Sequence, residues 1–115
     1  MKQIADDCYY LTDDSDLASA AESWRSAKVL GIDTEFIRVD TFYPIPALLQ
    51  ISKGAQCWLI DVLTINNFSP LIEILTASHI TKVIHAASED LEVFDRLFGT
   101  LPTPLFDTQI AAALC

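Results

Sequence analysis

At 115 residues the chain holds one domain at most, and with 51% hydrophobic residues it has ample material for a core. No apolar run approaches the ~18 residues that span a bilayer, and the opening Met1-Lys2-Gln3 followed by Asp6-Asp7 lacks the apolar stretch of a signal peptide; both point to a cytoplasmic protein without a membrane partner. A formal net charge of −9 argues against a free-standing nucleic-acid-binding module, because affinity for phosphates comes largely from Lys and Arg.

Residues 8–11 read as a short first strand. Residues 12–15 are all helix-capping types, and Leu17, Ala20, Ala21 and Trp24 then recur at helical spacing, which predicts a helix reaching about Lys28. Strand formers dominate 29–36. After a loop with Pro44 and Pro46 a second such run covers 47–52, Lys53-Gly54-Ala55 makes a turn, and 56–62 returns as a strand. The gaps between these three runs leave no room for crossover helices, so an antiparallel meander is expected. The pattern then changes to a short helix over 70–77, a short strand over 81–85, a strongly amphipathic helix over 88–98, and a last helix that Asp107 caps and that still runs at Cys115. A three-strand antiparallel meander followed by helix, strand and helix is the order of a ribonuclease H-like α/β fold with a mixed sheet. Trp24 and Trp58 fall at core positions, and Cys8, Cys57 and Cys115, odd in number and widely spaced, read as reduced core thiols. Neither His79 nor His85 has a Cys or His partner at metal-ligand spacing, so zinc is not suggested.

Two carboxylates stand out on the strand 29–36. Side chains alternate along a strand, so Asp33 and Glu35 share one face while Leu30, Ile32, Thr34 and Phe36 take the other. Same-face neighbours lie ~6.5 to 7 Å apart at the backbone, close enough for both acids to meet on one hard cation, which removes their mutual repulsion. The plainer alternative is two solvent-facing acids at a strand end, paired with Arg38. Asp90 adds a third. On the helix 88–98 Leu91, Val93, Phe94, Leu97 and Phe98 form an apolar arc, opposite Ser88, Glu89, Glu92, Asp95 and Arg96, and Asp90 falls inside that arc. An unpaired carboxylate facing a sheet is expensive, so Asp90 needs a partner, either the helix N-terminal dipole or a cation shared with Asp33 and Glu35. Bound divalent cations would also cancel part of the acidic excess; another part sits on a solvated early segment, Asp6, Asp7, Asp13, Asp14, Asp16 and Glu22.

Asp33-Thr34-Glu35-Phe36, Arg38, Phe42-Tyr43-Pro44, Leu48-Leu49-Gln50, the run His85-Ala86-Ala87-Ser88-Glu89-Asp90-Leu91-Glu92-Val93-Phe94, and Asp107-Thr108-Gln109 resemble the ribonuclease D family in sequence and in order, over nearly the whole chain. The resemblance implies a DEDD-family 3′→5′ exoribonuclease that trims tRNA precursors and other stable RNAs to 5′-monophosphates. It implies two divalent cations, Mg²⁺ or Mn²⁺, with Asp33 and Glu35 at the first motif and Asp90 at the second. Asp33 would bridge the ions, Glu35 hold the one that activates water, and Asp90 support the other. The family's third motif, Tyr-x-x-x-Asp, has no counterpart after Asp90, and the helical RNA-binding domains that follow in the family are not in these residues. The expectation is therefore the N-terminal portion of an exonuclease domain over residues 1–115, a truncated chain with little or no activity alone, whose unfinished sheet edge and helix invite dimerisation or strand exchange.

Four further residues are candidates for substrate contact, each with an ordinary alternative. Arg38 is a phosphate ligand or a surface ion-pair partner of Asp40 or Glu35, and His85 is catalytic or a hydrogen-bonded structural histidine. Phe42 and Tyr43 stack on a terminal base or pack in the loop. Rival functions are a DNA exonuclease of the same superfamily, a non-catalytic metal- or partner-binding module, and a haloacid dehalogenase-like phosphatase. The last requires Asp-x-Asp leading into a crossover helix, where this chain has Glu35 and further strands.

Overall fold

The computed structural model describes residues 1–37, 45–84 and 88–108, and the side chains within them apart from 35–37, 45–47, 88–90 and 93. In chain order the elements are β1 Lys2–Ala5, β2 Cys8–Leu11, α1 Asp14–Trp24, β3 Val29–Ile37, β4 Ile45–Lys53, β5 Gln56–Asp61, α2 Ser69–Leu75, β6 Thr81–Ile84, α3 Ser88–Phe98 and β7 Leu105–Asp107. The strands form one mixed sheet in the order β1-β2-β5-β4-β3-β6-β7. The expected meander is present: β3 pairs antiparallel with β4, and β4 with β5. Around it β2 joins β5, β6 joins β3 and β7 joins β6, all parallel. The mixed α/β sheet expected from the element order is thus the one observed.

Local chemistry explains most boundaries. Asp13 caps α1 by accepting from the Asp16 backbone N–H at 2.7 Å, as the capping run 12–15 predicts. The helix stops at Trp24, short of the predicted Lys28. Pro70 stands in the first turn of α2, where its missing N–H costs nothing. β4 starts at Ile45, before the expected Ala47, although this includes Pro46. That is tolerable because β4 pairs with β5 only from Leu48 onward, so at Pro46 one side of the strand has no ladder to interrupt. Gly54 takes a positive φ of 57° in the β4–β5 turn, a conformation that suits a residue without Cβ.

The core lies on one face of the sheet. Leu11, Leu30, Ile32, Leu49, Ile51, Trp58, Ile60 and Ile84 project from the strands against Leu17, Ala20, Ala21 and Trp24 of α1, Leu71, Ile74 and Leu75 of α2, and Phe94 of α3. Trp24 meets Trp58 edge-on at 5.7 Å, confirming both as core residues. The opposite face, carrying Tyr10, Ser52, Cys57, Leu59, Val83 and Phe106, is only partly covered or exposed among the described residues. On α3 the predicted arc holds at Phe94, which is 1% exposed, but Leu97 at the arc's edge is 40% exposed.

Lys82 breaks the apolar rule of that core. Strand alternation in β6 puts it beside Ile84 on the buried face, where it is fully enclosed, and its ammonium donates to the carbonyls of Ala77 at 2.7 Å and Thr103 at 2.9 Å. Burial pushes its pKa below the usual lysine value. The side chain thereby ties the segment before β6 to the one before β7. Lys82→Ala strands two carbonyls and leaves a cavity, and is expected to lower unfolding free energy by about 3 kcal/mol in urea titrations. A loss of under ~1 kcal/mol would mean that relief of the buried charge outweighs those contacts.

Candidate active site at the carboxyl ends of the strands

Because β2, β3, β5, β6 and β7 point the same way, their carboxyl ends lie along one rim of the sheet. In α/β sheets that rim, near the place where strand order reverses, is the usual location of ligands. Ile32 pairs with Ile84, and Ile84 pairs with Asp107, so three chain segments arrive at the rim in register. Asp33 is the next residue after Ile32. Glu35 stands two residues farther along β3, opposite Leu48, just before a register irregularity between Glu35 and Phe36. Such irregularities re-aim strands beside active sites. β6 ends at Ile84, and α3 begins at Ser88 with Asp90 in its first turn, one turn before buried Phe94.

Asp33 is exposed and opposite Gln50. Its Oδ1 accepts from the Thr34 backbone N–H at 3.0 Å, its one hydrogen bond among the described residues. Other acids are committed to structure. Asp14 accepts from the backbone N–H groups of Asn66 and Asn67 at 2.7 and 3.1 Å, Asp61 from the Tyr10 hydroxyl at 3.1 Å, and Glu73 from Arg25 at 3.0 Å. Burial, and then the bond to Asp61, hold the Tyr10 phenol above its ordinary pKa. Asp33 is thus a solvent-facing carboxylate with most of its acceptor capacity unspent among the described residues, on the rim where the parallel strands β6 and β7 end.

The side chains of Glu35 and Asp90 are not among those described, and Arg38, Phe42, Tyr43 and His85 lie outside the described residues altogether. No three His, Cys, Asp or Glu side chains gather closely enough for a metal among the described residues, of which Asp33 is the single member of the proposed set. The donor chemistry of that set, carboxylate oxygen throughout, suits a hard divalent cation. Asp107 is a residue whose placement the sequence concealed. Read as an N-cap, it ends β7 as helical backbone begins at Thr108, half-buried and two strands from Ile32, about 10 Å at the backbone. Only recognition of the three-residue strand β7 would have brought it to this rim. β3 also leads into antiparallel β4, not into the crossover helix that the phosphatase reading requires.

Residues 8–115 match the family of 3′–5′ exonucleases. The chain belongs to this family. Within it, ribonuclease D of Pseudomonas paraeruginosa is 50% identical over 109 residues, 95% of this chain and 29% of that protein. The crystal structure of Escherichia coli RNase D, described as an exoribonuclease involved in structured RNA processing, superposes with a TM-score of 0.88 at 50% identity, covering 92% of this chain and 28% of that one. The exonuclease domain of Aedes aegypti Nibbler gives a TM-score of 0.84 at 11% identity, covering 99% of this chain and 58% of that one, a likeness of fold alone. The resemblance to ribonuclease D therefore stands, and the chain spans under a third of the length of its ribonuclease D relatives. No helix of its described residues is long and apolar enough to cross a membrane.

Proposed function

We propose that these residues form the first part of the catalytic domain of a cytoplasmic 3′→5′ exoribonuclease that trims stable RNAs, tRNA precursors among them, to nucleoside 5′-monophosphates. The observation that carries this reading is the exposed carboxylate of Asp33, one residue beyond the point where β6 ends beside β3, in a chain half identical to ribonuclease D. Asp33, Glu35 and Asp90 would hold two divalent cations, Mg²⁺ or Mn²⁺. When bound, such ions supply Lewis acidity toward the phosphodiester and lower the pKa of a bound water. The chain's own residues would contribute placement: the β3 backbone sets Asp33 and Glu35 two residues apart, and Asp90, in the first turn of α3, would complete the set. Arg38, Phe42, Tyr43 and His85 are assigned to the RNA 3′ end, Arg38 on phosphate and the two rings on the terminal base. With 7 basic against 16 acidic residues, these 115 residues have little charge of their own for gripping RNA, so most of the affinity must come from bound cations and from polypeptide outside this stretch.

Two measurements separate binding from catalysis. The 115-residue polypeptide is expected to bind Mn²⁺ in a manner weakened by Asp33→Asn, yet to release little or no monophosphate from 3′-labelled RNA, because no Tyr-x-x-x-Asp follows Asp90 within it. Efficient metal-dependent release by these residues alone would refute the need for a third motif. Absence of Mn²⁺ binding in the full-length polypeptide would remove the metal site itself.

A further inference from the structure

Cys8 and Cys57 are 49 positions apart in sequence and become direct partners in the parallel register of β2 and β5. Strand alternation puts both on the sheet face away from the helices, where each is half-buried and neither is in a disulfide. The backbone pins this pairing. Asp7, at a positive φ of 59° in the β1–β2 turn, accepts from the Cys57 N–H at 2.8 Å, so the start of β2 is fastened to Cys57. In-register neighbours on adjacent strands lie ~4.8 Å apart across the ladder, inside the Cα range of ~4.4 to 6.8 Å that a disulfide tolerates.

We propose that Cys8 and Cys57 form an oxidisable dithiol, a modification site that takes a small-molecule disulfide as its oxidant. Cys8 attacks one sulfur of the oxidant, whose S–S bond breaks; the departing thiolate takes a proton, and Cys8 is left in a mixed disulfide. Cys57 then gives its proton to solvent and attacks Cys8 Sγ, expelling the second small thiol. Two protein thiols are oxidised to one disulfide, and one small disulfide is reduced to two thiols, so electrons and atoms balance. Burial, and then the Cys8 sulfur, push the Cys57 thiol up to about 11, so its attacking thiolate is scarce at neutral pH and the second step is the slower one. The new bond would staple the β1–β2 edge of the sheet to the β4–β5 hairpin at the end opposite the carboxylate rim, so it stands apart from the exonuclease reading.

The test is incubation of the folded full-length protein with glutathione disulfide near pH 8, followed by alkylation of free thiols, non-reducing digestion and mass spectrometry. The expected product is a peptide pair joined through Cys8 and Cys57, about 2 Da lighter than the two free thiols and restored by dithiothreitol. Cys57→Ser should halt at glutathione on Cys8, and formation of the intramolecular bond should quicken as pH rises toward the Cys57 value. Full alkylation of both cysteines after incubation would overturn the proposal. Glutathione as the stable end point on the unaltered protein, or linkage of either residue to Cys115 or to another chain, would overturn it equally.

Discussion

Asp33→Asn in the full-length polypeptide is expected to cut monophosphate release from RNA 3′ ends roughly a thousandfold, the scale of losing several kcal/mol of cation-borne stabilisation. The fold should survive unchanged. Asp33 is exposed, and its described hydrogen bond runs from the Thr34 N–H to Oδ1, which an asparagine carbonyl can accept as well. What the substitution removes is the charge, and with it much of the affinity of a hard divalent ion. Asp95→Asn on the exposed side of α3 serves as the control and should leave the rate near that of the parent. Parent-like turnover in Asp33→Asn, with Mg²⁺ at ordinary concentration, would separate this carboxylate from the chemistry.

Trp24→Ala should be among the most damaging single changes to stability, costing about 3 to 5 kcal/mol of a total that for a domain this size is roughly 5 to 15. Trp24 is fully buried between α1 and the sheet and meets Trp58 edge-on at 5.7 Å, so its removal opens a cavity at the centre of the core. Its indole N–H, however, is buried without a hydrogen-bond partner among the described residues. An unpaired buried donor is itself unfavourable by ~1 kcal/mol or more, so Trp24→Phe, which keeps an aromatic ring and discards the donor, should lose far less than Trp24→Ala. Urea unfolding monitored by circular dichroism distinguishes the two. Equal losses would show that volume alone governs this position.

Several features were readable in advance because they depend on local periodicity. Alternation along β3 put Leu30 and Ile32 inward and Asp33 outward, and the structure has the first two buried and the third exposed. Helical spacing located α1 and α3, and the capping run at 12–15 placed the start of α1 within a residue. The edge strands were not readable. β1 has four exposed residues and so no hydrophobic alternation to detect, while β7 is three residues long and becomes a strand only by pairing with β6. Leu97 was assigned to the apolar arc because spacing cannot say how wide a stripe the sheet will cover.

Placement of the candidate site divides along the same line. The sequence determined that the chain is an α/β domain with a meander, that Asp33 and Glu35 lie two apart on a strand, and that Asp90 opens a helix, since each follows from side-chain periods of two or 3.6. Only the tertiary structure decided that β6 lies parallel beside β3, that Asp107 reaches the same rim, that Lys82 is satisfied by the Ala77 and Thr103 carbonyls, and that Cys8 faces Cys57. Those are pairings between distant segments. They are chosen by the joint burial of many side chains against α1, α2 and α3, which no local window of residues contains.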